Sequence, residues 1–324
     1  RLDPPDPPPL RTDPPSDPTL AGEPPAFPRL DAPAKVDGSW LFAGDVRLPG
    51  MVHAAIRHGP LDRAELGTFD QAAAAEVPGV VGVVAGKRWL AAVATDWWSA
   101  ERALDAMAPH FRSYDPVQSA RMAEALDGAL ERGEALRVAS AGAEEGPAGR
   151  PTLVQRYDIA PAAHGGVETA SCTARLADGR LELWLATQAP EQARAAVAQA
   201  LDISPRDTVL YPMPAGGSFD RRLEHEHAIE AALIAREVGR PVQLTWSRWQ
   251  EQLRLRPRPS AAIRISAHLA ADGSLAGFAA RIATPPAALE FGRRLLGNRT
   301  SWAAREEVAG RADPLACEGL LPPY

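Results

Sequence analysis

The sequence predicts an α+β protein of two domains, on three observations. Strand-like and helix-like segments alternate within residues 34–112, as in a compact mixed unit. From Arg180 to Arg222 the pattern is strand, helix, strand, then a turn at Gly216-Gly217. The length, 324 residues, suffices for two sizeable cores.

Residues 1–33 hold 12 of the chain's 32 prolines, in runs such as Pro7-Pro8-Pro9 spaced by Asp and Arg, and are expected to be an extended linker or arm. In the first domain, residues 34–112, strands are expected over Val52–Arg57, Val80–Val84 and Trp89–Ala94. A short Ala-rich helix is expected over Phe69–Glu76 and an amphipathic one over Trp98–Met107. Residues 113–150 form a helical connector, with its helix over Asp115–Gly133, and a loop rich in Ala, Gly and Glu.

The second domain, residues 151–324, opens with strands expected over Thr152–Ile159 and Ser171–Leu176. Asp178-Gly179 is a hairpin turn into a strand in which Leu181, Leu183 and Leu185 alternate with Glu182, Trp184 and Ala186. Pro190 starts a helix that runs to Leu201, and Val209-Leu210-Tyr211 is a short strand. After the glycine turn a helix is expected over Leu223–Val238, then a strand over Pro241–Trp246. Ala261–Leu269 and Leu275–Ala283 form a hairpin about Asp272-Gly273, and residues 285–324 carry little pattern.

Composition narrows the function classes. A formal net charge of -6 without a basic block argues against non-specific nucleic-acid binding. No apolar run approaches about 20 residues, so no membrane span is expected. The first residues show no basic-then-apolar export signal, which leaves cytoplasm and periplasm open. Cys172 and Cys317 are the only cysteines, too few for a disulfide scaffold or for an iron–sulfur cluster on this chain alone.

A strand, a glycine turn and a helix can present backbone N–H groups to a phosphate, although Gly216-Gly217 alone describes a tight turn equally well. Glu224-His225-Glu226-His227 does not suit a metal, because histidines two apart on a helix point to different sides. It is expected to be a solvated helix start, with acids favoured by the helix dipole. His164 and Glu168 are spaced to meet across one turn, which a local hydrogen bond explains as well as a catalytic role does. The arginines between Arg248 and Arg258 are expected to face solvent or a partner.

Several stretches, taken together and in order, resemble the large molybdopterin-binding subunit of molybdenum hydroxylases, the xanthine dehydrogenase and aldehyde oxidoreductase superfamily. They are Lys35-Val36-Asp37-Gly38, Asp45 to Met51, His164 to Arg175, Leu181-Glu182-Leu183-Trp184, Thr187-Gln188-Ala189-Pro190, Gly216 to Glu224, Gly239-Arg240-Pro241-Val242 and Trp246-Ser247-Arg248. The wording is similar to isoquinoline 1-oxidoreductase beta-subunit-like proteins. The resemblance implies a small α/β hammerhead domain followed by the first half of a molybdopterin-binding α+β domain. It implies molybdopterin, as its cytosine dinucleotide, shared with segments absent from this chain.

It also implies oxidation of an N-heterocycle or aldehyde carbon with oxygen from water. The implied partners are the remainder of the large subunit, or a second molybdopterin-binding subunit, and a [2Fe-2S] electron-transfer subunit. From its motif position, Gln188 would donate its amide N–H to the oxo group of the metal centre. Backbone amides of Gly216, Gly217 and Ser218 would border the cofactor, Phe219 would stand at the substrate end, and Arg221 would bind the cofactor beside them.

The chain departs from the family at Ser218 and Asp220, where the loop usually carries glycine. A Ser forced to positive φ would cost about 1–2 kcal/mol, and Asp220 would set a negative charge beside an anionic cofactor unless Arg221 or Arg222 offsets it. The family's catalytic Gly-Glu segment and its Gly-Gln-Gly cofactor motif have no match here. No catalytic residue is therefore assigned, and the chain is expected to be one part of a larger or split subunit, inactive alone. The alternative is a non-catalytic, degenerate scaffold of the same fold that serves as an interaction module.

Overall fold

Two parallel strand pairs decide where the chain's segments meet. The computed structural model describes residues 29–286 apart from 62–63, 115, 117, 134, 136, 138–139, 143–148, 220 and 255. Residues 1–41 and 42–324 are two units. In the first, α1 (Ala32–Asp37) takes in Pro33, a residue of the expected arm, and ends at Gly38 with φ 80°.

The second unit contains a seven-stranded mixed sheet. Its order is β3 (Val80–Ala85), β4 (Trp89–Ala94), β1 (Val52–His58), β10 (Val242–Thr245), β7 (Ser171–Ala177), β8 (Arg180–Leu185) and β9 (Thr208–Pro212). β1–β10 and β8–β9 are parallel, and the other pairs are antiparallel. The two stretches read from the sequence as successive domains thus share one sheet, joined where Val52 pairs Val242 and Ala54 pairs Leu244.

Period-two alternation distributes side chains to two cores. Ala54 and Ile56 of β1 join Cys172, Leu181, Leu183 and Leu185 under α4 (Pro190–Leu201) and α5 (Glu226–Val238). Ala55 of β1, with Leu90, Ala92 and Ala94 of β4, faces the other way onto Ala100, Leu104 and Met107 of α2 (Trp97–Met107). Asp96 caps α2 by accepting from the Ser99 backbone N–H at 2.8 Å. The hairpin turn expected at Asp178-Gly179 is present, with φ 51° and 75° at the two residues, the left-handed pair that suits a two-residue β-turn.

A separate three-stranded sheet runs β12 (Leu275–Ala283), β11 (Ala261–Leu269), β6 (Leu153–Ile159). Leu126 and Leu130 of α3 (Ser119–Arg132) pack on its Ala262 and Ala283. A two-stranded ribbon pairs β2 (Glu65–Leu66) with β5 (Phe111–Arg112).

Three expected helices are shorter in the structure; the connector helix, expected over Asp115–Gly133, runs Ser119–Arg132 as α3. The Ala-rich segment makes only a 3₁₀ turn over Ala72–Glu76, because the Asp70 side chain takes the Ala72 and Ala73 N–H groups and Val77 precedes a proline. The helix after the glycine turn begins at Glu226, since Arg221–Leu223 forms a 3₁₀ turn of its own. The Arg-rich segment is partly helical, as α6 (Arg248–Arg254), and it buries Gln250 and Glu251 instead of lying wholly in solvent. Of the tail expected from 285, all beyond 286 lies outside the described residues.

Burial in the main core pushes the Cys172 thiol far above its ordinary value. Iodoacetamide at pH 8 should leave Cys172 unmodified in the folded chain and label it once urea unfolds the core, as peptide mass spectrometry would read. Equal labelling in both states would mean that β7 opens freely.

Candidate functional site

Parallel strands end side by side, and this places the loops that matter. β8 and β9 pair from Leu181–Thr208 to Leu185–Pro212, and the Met213 N–H continues the ladder to the Leu185 carbonyl at 2.9 Å. The segments leaving the two strands, Thr187-Gln188 and the turn at Gly216, therefore emerge from one edge of the sheet. The Arg222 carbonyl joins them: it accepts from the Gln188 backbone N–H at 2.9 Å and from Thr187 Oγ1 at 3.3 Å.

A second loop, which leads into β7, locks onto the glycine turn. The Gly216 carbonyl accepts from the Val167 and Glu168 N–H groups, and the Gly216 N–H donates to Glu168 Oε2 at 2.9 Å. The Arg222 Nη2 donates to the Glu168 carbonyl at 2.6 Å. Glycine is required at 216 and 217 by this contact. A Cβ on Gly216 would lie 2.5 Å from Glu168 Cβ, and one on Gly217, at φ +112°, would lie 2.9 Å from Gly166 Cα.

Between the two loops and α6 is a crevice of about 10 Å³, room for about one water-sized group. Gly217, Ser218, Arg221 and Arg222 line it, with Arg248 and Glu251 from α6. Gly216, Phe219 and Gln188 stand outside that lining, and the Gln188 side chain is exposed. So the structure ties the backbone of the strand-end glutamine to Arg222, six residues beyond Gly216, leaves its side chain outside the crevice, and places only Gly217, Ser218 and Arg221 of the expected residues there. Arg222, Arg248 and Glu251 were not among them. A pair of arginines directly after a glycine turn was the signal that could have found the first.

Left-handed strain does not fall on Ser218. It falls on Phe219, at φ 47°, so serine at 218 carries no backbone penalty of the kind the sequence suggested. The question raised by Asp220 lies outside the described residues. His164 and Glu168 do not form the local bond expected of them: His164 Nε2 bonds the Arg256 carbonyl at 2.7 Å, and Glu168 holds Gly216.

Nor is the start of α5 solvated. Glu224 and His227 are buried, Glu224 paired with Arg221 and the His227 ring edge-on to Trp246. Arg221 and Arg222 are 3% and 2% exposed. Arg221 lies 5.5 Å over the Trp246 ring and pairs with Glu224 at 3.2 Å, and Arg222 reaches Glu251 at 3.5 Å. Burial pulls the Arg222 guanidinium below its ordinary value, against the pull of Glu251 and Glu168.

Trp246 is fixed from behind by a buried network. Its Nε1–H donates to Glu230 Oε2 at 3.1 Å, and Glu230 Oε1 meets His58 Nε2 at 2.8 Å. The other ring nitrogen of His58 faces Gln250 Oε1 at 3.0 Å, and the His58 backbone N–H donates to that same oxygen. Both ring nitrogens therefore face oxygen.

His227, 1% exposed, is held neutral: burial first, then Arg222, Arg221 and His225, push it well below its ordinary value of 6.5. The sign follows. The unfolded chain binds this proton below about pH 6.5 and the folded chain does not, so stability is lost as pH falls beneath that value. The slope from this one group is about 1.4 kcal/mol per pH unit. In urea titrations between pH 7 and 5, His227→Phe should lose stability less steeply than the parent. Parallel slopes would remove His227 from the account.

The donor set fits an anionic oxygen group. Arg221 Nε and Nη2 and Arg222 Nε are buried, and no described residue offers them an acceptor. No cluster of three or more His, Cys, Asp or Glu capable of holding a metal occurs among the described residues, and none of their helices is long and apolar enough to cross a membrane.

Comparison with known proteins identifies the family. The family model of the molybdopterin cofactor-binding domain matches residues 131–292, half of the chain. The beta subunit of isoquinoline 1-oxidoreductase from Brevundimonas diminuta is 28% identical over 253 residues, which are 74% of this chain and 32% of that protein. One of the subunits of nicotinate dehydrogenase from Pseudomonas putida is 26% identical over 265 residues, 77% of this chain and 22% of the relative. Aldehyde oxidoreductase from Desulfovibrio gigas shares the fold with a TM-score of 0.60 at 17% identity, over 80% of this chain and 34% of that one. The chain thus spans about a third or less of the length of the relatives it matches. It belongs to the family of molybdopterin cofactor-binding domains.

Proposed function

We propose that this chain is the first cofactor-binding part of the large subunit of a molybdenum hydroxylase. Residues 34–112 would be its small hammerhead domain and residues 151 onward the first half of its cofactor domain. One observation carries the reading: buried guanidinium N–H groups of Arg221 and Arg222 stand beside the glycine turn with no described acceptor. The ligand they suit is molybdopterin, as its cytosine dinucleotide, completed by segments outside this chain. When bound, that group supplies two-electron oxidation of an electron-poor carbon of an N-heterocycle or aldehyde, with oxygen from water.

The chain's own residues bind and orient. Arg221 and Arg222, both buried, meet negative charge where charge-assisted bonds are strongest. Gly216 and Gly217 keep two backbones in contact, and Ser218 adds a hydroxyl to the crevice wall. Gln188 supplies a neutral amide donor at the same sheet edge. Phe219, 65% exposed, offers an aromatic wall to a flat substrate. No base is assigned on this chain, so turnover requires the remainder of the large subunit. A [2Fe-2S] protein would take the electrons.

The test is purification of the chain with its partner polypeptides, followed by molybdenum analysis and pterin fluorescence. One molybdenum and one pterin per complex are expected. An intact complex free of both would overturn the reading. The competing view, a degenerate scaffold, is favoured by the Arg221–Glu224 and Arg222–Glu251 pairs, which already give each arginine a carboxylate. Restoring glycine at Ser218 and Asp220 discriminates: a large rise in cofactor content would support degeneration, and an unchanged, full content would refute it.

A further inference from the structure

We propose that the crevice is the seat of a tetrahedral oxyanion, held by the guanidinium groups of Arg221, Arg222 and Arg248. This deepens the cofactor reading by naming the part of the ligand held here, a phosphate, and rests on that reading only for the identity of its carrier.

Three arginines and one carboxylate, that of Glu251, line the crevice, and a second carboxylate, Glu224, pairs with Arg221 from outside the lining, so the arginines still outnumber the acids. Two of the arginines are buried, and three of their N–H groups lack a described acceptor. Buried charged donors left unsatisfied are costly, so such a cluster signals a missing acceptor. A guanidinium offers a planar fork of donors that matches the oxygens of a phosphate; Arg221 keeps such a fork open through Nε and Nη2, and Arg222 adds a single Nε–H, three donors that favour a multi-oxygen anion over a single carbonyl.

Glu251 acts as the internal stand-in. Its Oε2 meets Arg248 at 2.8 Å and its Oε1 meets Arg222 at 3.5 Å, so one carboxylate bridges two of the three cations.

The third arginine closes the crevice. Arg248 spans it, donating through Nη2 to the Val167 carbonyl at 2.6 Å while Nη1 holds Glu251. Its side chain is 43% exposed, unlike the other two, so its head can swing outward without unpacking the core. The closed crevice of about 10 Å³ admits a single oxygen-sized group. Release of the Arg248 strap makes room for the other oxygens and returns Arg248 to the anion as a third ligand. The strap accounts for a built site of small volume.

The experiment uses the full chain without cofactor, at constant ionic strength set by chloride. Inorganic phosphate and sulfate should raise its melting temperature with millimolar midpoints. Arg248→Gln, at an exposed position, should weaken phosphate about tenfold, the loss of one charge-assisted bond. Arg222→Lys keeps a buried charge but loses the fork, and serves if larger changes unfold the chain.

A second arm measures pterin retained by the purified complex in increasing phosphate. Displacement of pterin by phosphate, with lower retention in both variants, supports the seat and assigns it to the cofactor's phosphate. Phosphate binding without any effect on pterin supports the seat and assigns it to a free oxyanion. Phosphate indistinguishable from chloride, with both variants retaining pterin like the parent, overturns the seat and leaves the cofactor reading standing. A pterin-free parent complex that still binds phosphate does the reverse.

Discussion

Glu230→Ala is expected to destabilise the chain by about 2–5 kcal/mol, the cost of leaving two buried polar groups unsatisfied. Glu230 is 5% exposed and holds two groups that come from different parts of the chain, His58 of β1 and Trp246 just after β10. Removing the carboxylate strands an indole N–H and a ring nitrogen in the core. Glu230→Gln should cost less than about 1 kcal/mol, because every bond can be remade without charge. The amide oxygen accepts from Trp246, the amide nitrogen donates to His58 Nε2, and His58 keeps its proton on Nδ1 toward Gln250. Urea unfolding of the three proteins measures both steps. Equal losses for Ala and Gln would show that the pair is not bonded as described. The same network backs the crevice, since Arg221 rests on the Trp246 ring.

Gly217→Ala is expected to cost about 1–3 kcal/mol in backbone strain, because φ +112° is closed to side chains. The new Cβ, 2.9 Å from Gly166 Cα, adds to that by forcing two backbones apart. Gly273→Ala is the control, with φ +84° in the β11–β12 turn and nothing within 4 Å of a Cβ. It carries strain without crowding. The difference between the two melting temperatures isolates the loop contact, and phosphate binding by Gly217→Ala reports whether that contact shapes the crevice. Equal shifts would mean that the two loops are not packed against each other.

Local pattern was enough to find most strands. Leu181, Leu183 and Leu185 alternate because one face of β8 lies on α4 and α5, and Pro190 and Leu201 bound α4 as the proline and the apolar spacing suggested. Where neighbours compete for the backbone, pattern failed. Asp70 and the Val77-Pro78 pair cut the Ala-rich helix to a 3₁₀ turn, and Leu223, expected to start α5, closes the 3₁₀ turn over Arg221–Leu223 instead. Burial of charge was illegible too. Glu224, His227, Gln250 and Glu251 read as polar surface, since nothing in a single sequence shows which acids and imidazoles will find buried partners.

What the residues determined alone was local: turn positions, alternation, helix starts and an ordered set of motifs sufficient for the family. These depend on neighbours a few positions away, and short-range sterics and hydrogen bonding set them. The tertiary structure decided which distant pieces meet. It set β1 beside β10 and ended β8 and β9 at one edge. It brought Arg222 under Gln188 and laid α6 across a crevice that three arginines share. Pairing between strands far apart in the chain is fixed by how all the apolar faces are covered at once, and the site exists only after that packing is complete.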